Sequence, residues 1–135
     1  MDINDITGLI LKKAFEVHST LGPGLLESAY EECLFYELSQ CNLLVERQKA
    51  LPIIYKGIKV DAGYRLDIVV NNCVIVELKS VETLHPIHTS QLITYLKLSN
   101  IKHGLLINFN VKSLKEGIKL SLIHISEPTR HAQIS

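Results

Sequence analysis

Residues Leu66–Ser80, with the sequence LDIVVNNCVIVELKS, decide the fold that we predict for this chain. They form two short apolar runs around Asn71–Asn72, and asparagine is common in turns because it tolerates positive φ. A strand covered on both faces is nearly all apolar, so Asp67, Glu77 and Lys79 are unexpected in these runs. Because unpaired charge is costly to bury, the three groups must neutralise one another or hold a metal ion.

The length of the hairpin loop determines whether Asp67 meets Glu77. A two-residue turn would set Asp67 opposite Val76, on the wrong face of the hairpin. A three-residue loop, or a bulge with the same effect, pairs Val70 with Val74 and sets Asp67 directly opposite Glu77. We predict the longer loop, because such loops are common and asparagine suits the left-handed residue that they contain.

The three charged side chains form a candidate metal site. Residues two apart in a strand share a face, so Glu77 and Lys79 point the same way and Leu78 points the other. A divalent cation would remove the repulsion between the carboxylates of Asp67 and Glu77, and Mg²⁺ prefers oxygen ligands of this kind. The alternative is a salt bridge from Lys79 to either carboxylate, because a D…ExK pattern is short.

Several motifs together resemble the GxxExxY family of small proteins, within the PD-(D/E)XK nuclease-like superfamily. One departure is Leu66, which stands where the name of the superfamily has proline. The resemblance implies a nuclease fold more firmly than nuclease activity, because this fold hosts inactive members and several substrates. It covers roughly residues 18–110 and rests on LGPGLLESAYEE (Leu21–Glu32), YRLDIVV (Tyr64–Val70), VIVELKS (Val74–Ser80), HPIHTSQLITYLKL (His85–Leu98) and GLLINFN (Gly104–Asn110).

With this resemblance, the hairpin predicts metal-assisted hydrolysis of a phosphodiester. Asp67 and Glu77 would hold Mg²⁺ (or Mn²⁺), with the backbone carbonyl of Leu78 as a further ligand. The metal would polarise a phosphate oxygen and lower the pKa of a bound water. Lys79 would be a catalytic residue that orients this water or stabilises the developing negative charge.

The resemblance also assigns catalytic roles to residues on two predicted helices. Gly24, Glu27 and Tyr30 match the family motif, and Glu27 would orient water or help to bind a second cation. Gln91 and Tyr95 lie four apart on one helix face and match a QxxxY signature found in nuclease branches of the superfamily. The plainer alternatives are a glutamate stabilised by a helix N-terminus, and an ordinary polar residue beside a core tyrosine.

The pattern of apolar residues predicts the element order α-α-β-β-β-α-β. With the resemblance, this order implies an α/β fold of the restriction-endonuclease-like type, a sandwich whose mixed central sheet is flanked by helices. The helices in this order are predicted at Ile3–Ser19, Glu27–Ser39 and His85–Asn100, and the strands at Leu44–Tyr55, Ile58–Asp67, Val74–Ser80 and Gly104–Phe109. A further short helix is predicted after the last strand, at Ser113–Lys119.

Some charged residues have two open interpretations. His18, at the end of the first helix, either approaches the site or is a structural histidine. Glu31, Glu32 and Glu37 are predicted on a solvated helix face. The hairpin of residues 44–67 is the most basic part of the chain, and its charges either neutralise phosphates or form an ordinary strand face; they are Arg47, Lys49, Lys56, Lys59 and Arg65.

Composition excludes several classes of protein. The 135 residues, 47% hydrophobic and 21% charged, predict one globular domain, and a net charge of zero argues against a protein that coats nucleic acid. Cys33, Cys41 and Cys73 lack metal-ligand spacing and are expected to be reduced thiols of a cytoplasmic protein. No signal peptide or membrane-spanning run is present, and no Gly-rich dinucleotide fingerprint supports a redox or flavin protein.

The C-terminal segment resembles a translated sequencing adapter. Leu120–Arg130, LSLIHISEPTR, matches the in-frame translation of a transposase library adapter. We therefore predict a single nuclease-like domain over residues 1–119 and a non-native tail over residues 120–135. His124 and His131, in this tail, are not expected to bind metal.

The sequence as a whole predicts a metal-dependent nuclease that hydrolyses phosphodiester bonds of nucleic acid, with DNA the expected substrate. The alternative is a non-catalytic module on the same fold that binds nucleic acid or a protein. Because the chain is small and lacks a visible specificity domain, a homodimer would be one way to supply a second half-site.

Overall fold

The computed structural model describes residues 1–124 of the chain; residues 125–135, in the predicted tail, lie outside this range. The helices are α1 (Ile3–Leu21), α2 (Glu27–Ser39) and α3 (Pro86–Ser99). The strands are β1 (Val45–Ala50), β2 (Ile53–Tyr55), β3 (Ile58–Val60), β4 (Arg65–Val70), β5 (Val74–Lys79), β6 (His103–Asn108) and β7 (Ile118–Leu122).

The central sheet has five strands in the order β1-β4-β5-β6-β7. β5 and β6 are parallel, with α3 in the connection between them, and all other neighbours are antiparallel. Helices cover both faces, so the predicted α/β sandwich with a mixed sheet is confirmed. No helix within residues 1–124 is long and apolar enough to cross a membrane.

Alternation along β5 divides the core between the two faces. Val74, Val76 and Leu78 pack into the larger core with α1 and α2. Ile75 packs into the smaller core with α3. Glu77 therefore shares a face with Ile75, since side chains two apart in a strand point the same way.

The hairpin between β4 and β5 has the predicted register. Val70 pairs with Val74 and Ile68 with Val76. Asn71 and Asn72 both have positive φ, of 51° and 52°, which asparagine tolerates at low cost. The N–H of Cys73 donates to the Val70 carbonyl at 3.0 Å, so Cys73 is the extra residue that fixes the register.

The predicted strand Leu44–Tyr55 is wrong in one respect, because it is two strands. The chain leaves the central sheet at Leu51–Pro52, and β2 then pairs only with β3 in a separate two-stranded sheet. The Leu51 side chain is buried in the smaller core. Pro52 has no N–H to donate to a ladder, which suits the end of a strand.

The predicted helix Ser113–Lys119 is also wrong. Leu114–Gly117 is a single 3-10 turn, and β7 follows it along the edge of β6. Pairing with an open strand edge outweighs the weak helix propensity of this short segment. Leu120–Leu122 of the predicted tail lie in β7, and the domain limits given above stay a prediction.

His18 is a structural residue. It is buried, and its Nε2 lies 2.7 Å from the Val111 carbonyl oxygen. Its ring also lies against Phe109, with ring centroids 6.3 Å apart. This contact fixes α1 to the chain that follows β6 and leaves His18 no part in the candidate site.

Candidate functional site

The regular pairing of the sheet is interrupted at one level in three neighbouring strands. The ladder between β1 and β4 skips Gln48, which lies directly opposite Asp67. The ladder between β4 and β5 ends at the pair before Asp67 and Glu77. Leu66 packs in the smaller core and Ile68 in the larger one, so the side chains of β4 change faces at this level.

Asp67 and Glu77 replace the missing ladder contacts with their side chains. Oδ2 of Asp67 accepts a hydrogen bond from the Leu78 N–H at 2.9 Å. Oε2 of Glu77 accepts one from the Asp67 N–H at 2.8 Å. Each carboxylate is thus fixed by the main chain of the opposite strand. The predicted meeting of Asp67 with Glu77 is confirmed.

One oxygen of each carboxylate remains available to a ligand. Oδ1 of Asp67 and Oε1 of Glu77 accept no hydrogen bond from residues 1–124. In the same part of the chain, no fully enclosed side-chain oxygen or nitrogen lacks a partner. Both oxygens therefore have an open side, which is the arrangement that a bound cation requires.

Burial and proximity favour protonation of the pair when no cation is bound. Burial, more than any other cause, raises the pKa of Asp67 from 3.8 to about 6, against a lowering by the Leu78 N–H. Burial and then the charge of Asp67 raise the pKa of Glu77 from 4.5 to about 8. A divalent cation would reverse this preference, because it stabilises both ionised forms.

The donor set fits a hard divalent cation. Within residues 1–124, no three His, Cys, Asp or Glu side chains are grouped so that they alone could hold a metal ion. Mg²⁺ needs fewer, since proteins usually bind it through one or two carboxylates and leave several waters in place. The Leu78 N–H faces Asp67, and a residue in a strand points its C=O to the same side, so this carbonyl is the third protein oxygen of the set.

Lys79 is close to the carboxylates but is not bound to them. Its charge lowers the pKa of both Asp67 and Glu77. The alternative of a salt bridge is not found: the ion pairs of residues 1–124 are Lys13 with Glu16 and Glu37, Arg47 with Glu31, and Lys49 with Glu46. The half-buried Lys79 ammonium is therefore available to a ligand at the carboxylates.

Glu27 begins α2 and lines a cleft of about 720 Å³ together with Asp67. Its negative charge raises the pKa of both Asp67 and Glu77, which places it at the site. The loop before Glu27 is held at two points. The Tyr30 hydroxyl donates to the Gly22 carbonyl, and the Ser80 hydroxyl donates to the Leu25 carbonyl at 2.6 Å.

The tyrosine of the GxxExxY pattern is thus a structural residue of the site. Tyr30 is fully buried, and its ring stacks on Phe109 with centroids 4.6 Å apart. Its hydroxyl also accepts a hydrogen bond from the Leu25 N–H. Because Ser80 directly follows Lys79, these bonds connect the start of α2 to the end of β5.

Glu31 was predicted on a solvated face, and this prediction is wrong. Its side chain is buried and accepts hydrogen bonds of 2.7 Å from both Arg47 Nε and Gln48 Nε2. All three residues line the cleft with Asp67, and the Glu31 charge raises the Asp67 pKa. Gln48 has a φ of 53°, a strained value for a residue with a side chain, and strain of this kind is often found at functional sites.

The helix spacing contained a signal for Glu31. It lies three residues before Leu34 and seven before Leu38, within the stripe that faces the core. The sequence does not reveal its two partners, because they lie on β1, sixteen and seventeen residues further along the chain.

Gln91 and Tyr95 lie in a different groove from Glu27 and Asp67. This groove, of about 330 Å³, runs between α3 and the β2–β3 hairpin and also contains Tyr64. Burial, and then the charge of Glu77, raise the pKa of Tyr95. No hydrogen bond within residues 1–124 joins the Gln91 side chain to Asp67 or Glu77.

The raised pKa values predict that stability falls as the pH rises, when no divalent cation is present. Between about pH 4 and pH 8 the unfolded chain releases protons that the folded carboxylates retain, so folding becomes less favourable with rising pH. We expect the melting temperature in EDTA to decrease across this range, and Glu77→Gln to remove most of the decrease.

Glu32→Gln is the matched control, since Glu32 is an exposed glutamate on α2. This variant should show the same pH dependence as the wild type. Parallel curves for the wild type and Glu77→Gln would show that Glu77 does not titrate in the predicted way.

Comparisons with known proteins support one assignment of family. No curated protein and no solved structure gives a significant match to the chain. A family model described as the PD-(D/E)XK nuclease superfamily matches residues 4–120, which include the carboxylate pair, Lys79, α2, α3 and all but the first residue of α1. The chain therefore belongs to the PD-(D/E)XK nuclease superfamily.

Proposed function

We propose that this protein is a metal-dependent nuclease, and that Asp67, Glu77 and Lys79 carry its chemistry. The observation that supports this most directly is the cross-bonding of the two carboxylates at the interrupted level of the sheet. A purely structural ion pair would use both oxygens and the lysine. Here one oxygen of each carboxylate and the Lys79 ammonium are left for a ligand.

In this proposal Mg²⁺ or Mn²⁺ is held by Asp67, Glu77 and the Leu78 carbonyl. When bound, the cation supplies charge stabilisation at a phosphate oxygen and lowers the pKa of a bound water. The main-chain donors of Asp67 and Leu78 keep the two carboxylates in fixed orientations, which limits the reorganisation that binding requires.

The remaining residues act on the water and on the phosphate. Lys79 either orients the attacking water or donates to the negative charge that develops on the phosphate oxygens. Glu27, at the positive end of α2, accepts a hydrogen bond from that water or shares a second cation. Tyr95 and Gln91 line the groove along α3. In this proposal a nucleic-acid strand follows that groove towards the carboxylates.

The subfamily, the substrate, the location and the oligomeric state belong to the same proposal. The spacing of Gly24, Glu27 and Tyr30, and the bonds of Tyr30 to the loop, support membership of the GxxExxY branch. We propose DNA as the substrate, a cytoplasmic location, and a homodimer as a way to supply a second half-site.

The alternative proposal is a non-catalytic module that binds nucleic acid or a protein. One observation favours it: no group of three side chains within residues 1–124 is suited to hold a metal ion by itself. In that case Asp67 and Glu77 would share protons at neutral pH, and the fold would act only as a binding surface.

Incubation with labelled nucleic acids separates the two proposals. We expect the wild type to cut single-stranded DNA, duplex DNA or RNA in Mg²⁺ or Mn²⁺, and to leave all of them intact in EDTA. Calorimetric titration with both cations should show binding. A folded wild type that binds neither cation and cuts none of the three substrates would leave the non-catalytic module as the function.

A further inference from the structure

The β2–β3 hairpin lies outside the central sheet and exposes an unusual number of apolar side chains. The pairing of Ile53 with Val60 and of Tyr55 with Ile58 places these four residues on one face. Tyr55 is 59% exposed and Ile58 is 63% exposed. Exposed apolar side chains grouped on one face of a short hairpin mark a candidate contact surface.

Three basic residues without an ion pair in the described part of the chain lie on the hairpin or at the start of β4, just after it. Of the five basic residues between Val45 and Asp67, Arg47 and Lys49 form internal ion pairs. The other three form no ion pair within residues 1–124. They are Lys56, Lys59 and Arg65, and Asp61 is the one acidic residue between Ile53 and Arg65.

The arrangement of Lys56 and Tyr55 suits a nucleotide, with its base on the tyrosine ring and its phosphate at the lysine ammonium. The Lys56 ammonium lies 5.5 Å from the centroid of the Tyr55 ring. Proteins that bind single strands combine exposed aromatic rings, on which bases stack, with cations that follow the backbone. An unpaired base presents the flat face that this stacking requires, whereas a base within a duplex does not.

The apolar face of the hairpin continues into the groove that runs along α3. Tyr64, at the base of the hairpin, lies in this groove with its ring centroid 6.3 Å from that of Tyr95. The opposite wall is α3. The groove is lined by Ile53, Tyr64, Ile87, Gln91, Tyr95 and Leu98.

We propose that the β2–β3 hairpin binds a single strand of nucleic acid and directs it along α3 towards Asp67 and Glu77. The destination of the strand, the carboxylate pair, rests on the proposed function. The binding of the strand to the hairpin does not. A second copy of the chain is the less favoured occupant. A symmetric contact would bring Lys56 and Lys59 of one copy towards those of the other, and like charges repel.

Anisotropy of a labelled oligodeoxythymidine strand, with the full chain in EDTA, tests the inference without requiring cleavage. We expect Tyr55→Ala to weaken binding at least about five-fold, because it removes one stacking surface. The double variant Lys56→Gln, Lys59→Gln should lower the slope of log affinity against log salt by about 1.4, since each lost phosphate contact contributes about 0.7.

Tyr36→Ala and the double variant Lys12→Gln, Lys119→Gln are the matched controls. Tyr36 is an exposed tyrosine on α2, and the two lysines lie on α1 and on the far edge strand β7. These variants should bind as the wild type does.

The outcomes separate this inference from the proposed function. Loss of binding in the hairpin variants alone supports the inference, even if the wild type cuts nothing. Equal binding by hairpin variants and controls overturns it, even if the wild type is an active nuclease. Absence of strand binding, together with a dimer that Tyr55→Ala converts to a monomer, overturns it in favour of a second copy.

Discussion

Lys79→Ala is expected to abolish cleavage while the fold is retained. The Lys79 side chain makes no ion pair or hydrogen bond with residues 1–124, so its removal breaks no such contact in the folded state. During hydrolysis the same ammonium would stabilise developing charge, and loss of one such donor typically lowers the rate by about 100-fold to 1000-fold. Single-turnover cleavage in saturating Mg²⁺ measures this effect.

Lys97→Ala is the matched control, because Lys97 is an exposed lysine on α3. It should cut at the wild-type rate. Lys79→Ala protein with wild-type circular dichroism and melting temperature, but with undiminished cleavage, would remove Lys79 from the mechanism and leave the carboxylates in place.

Glu77→Gln is expected to remove cation binding and to stabilise the cation-free protein above neutral pH. The amide keeps an oxygen that can accept the Asp67 N–H, so the local structure should be preserved. It also removes a buried negative charge beside Asp67, whose presence disfavours the folded state at high pH. Loss of a direct ligand should weaken Mg²⁺ binding by more than about 100-fold, because even second-shell changes cost about 10-fold to 100-fold.

Two measurements on the same protein test this prediction. Calorimetry should show Mg²⁺ and Mn²⁺ binding by the wild type and by Glu32→Gln, and none by Glu77→Gln or Asp67→Asn. Melting at pH 8 in EDTA should place Glu77→Gln above the wild type. A variant that binds Mg²⁺ normally would refute the proposed ligand set, whatever its stability.

The hairpin at the centre of the fold was predictable from local sequence. Asn71 and Asn72 identify the turn, and the positions of Asp67 and Glu77 then select one register, because other registers separate the two carboxylates. The main helices also follow from their apolar spacing, and α1, predicted to end at Ser19, runs on to Leu21. In these segments the residues that determine the structure are close neighbours in the chain.

Features that depend on distant pairing were not predictable. Pro52 suggests that a strand ends near Leu51, but nothing local indicates that β2 then leaves the central sheet and pairs only with β3. The strand after Gly117 forms because β6 offers an open edge, which the sequence of that segment does not reveal. The unpaired state of Lys79 is likewise a property of the assembled sheet.

The carboxylate pair at the centre of the site was predictable from the sequence, and the residues around it were less so. Asp67 and Glu77 meet as their spacing indicates. The network of Glu31, Arg47 and Gln48 was missed, because it joins a helix to a strand whose mutual position the sequence does not fix. Gln91, by contrast, has the expected helix position, but it lies in a groove apart from Glu27.

The bonds that hold the loop before Glu27 also have a consequence for the order of folding. The contact between Asp67 and Glu77 spans ten residues, whereas the bond from Ser80 to Leu25 spans fifty-five. By the logarithmic dependence of loop entropy on length, closing the longer loop costs about 1.5 kcal/mol more. We therefore expect the β4–β5 hairpin to form early and α2 to dock late. In a partly folded chain, Asp67 and Glu77 would then already lie together before Glu27 reaches them.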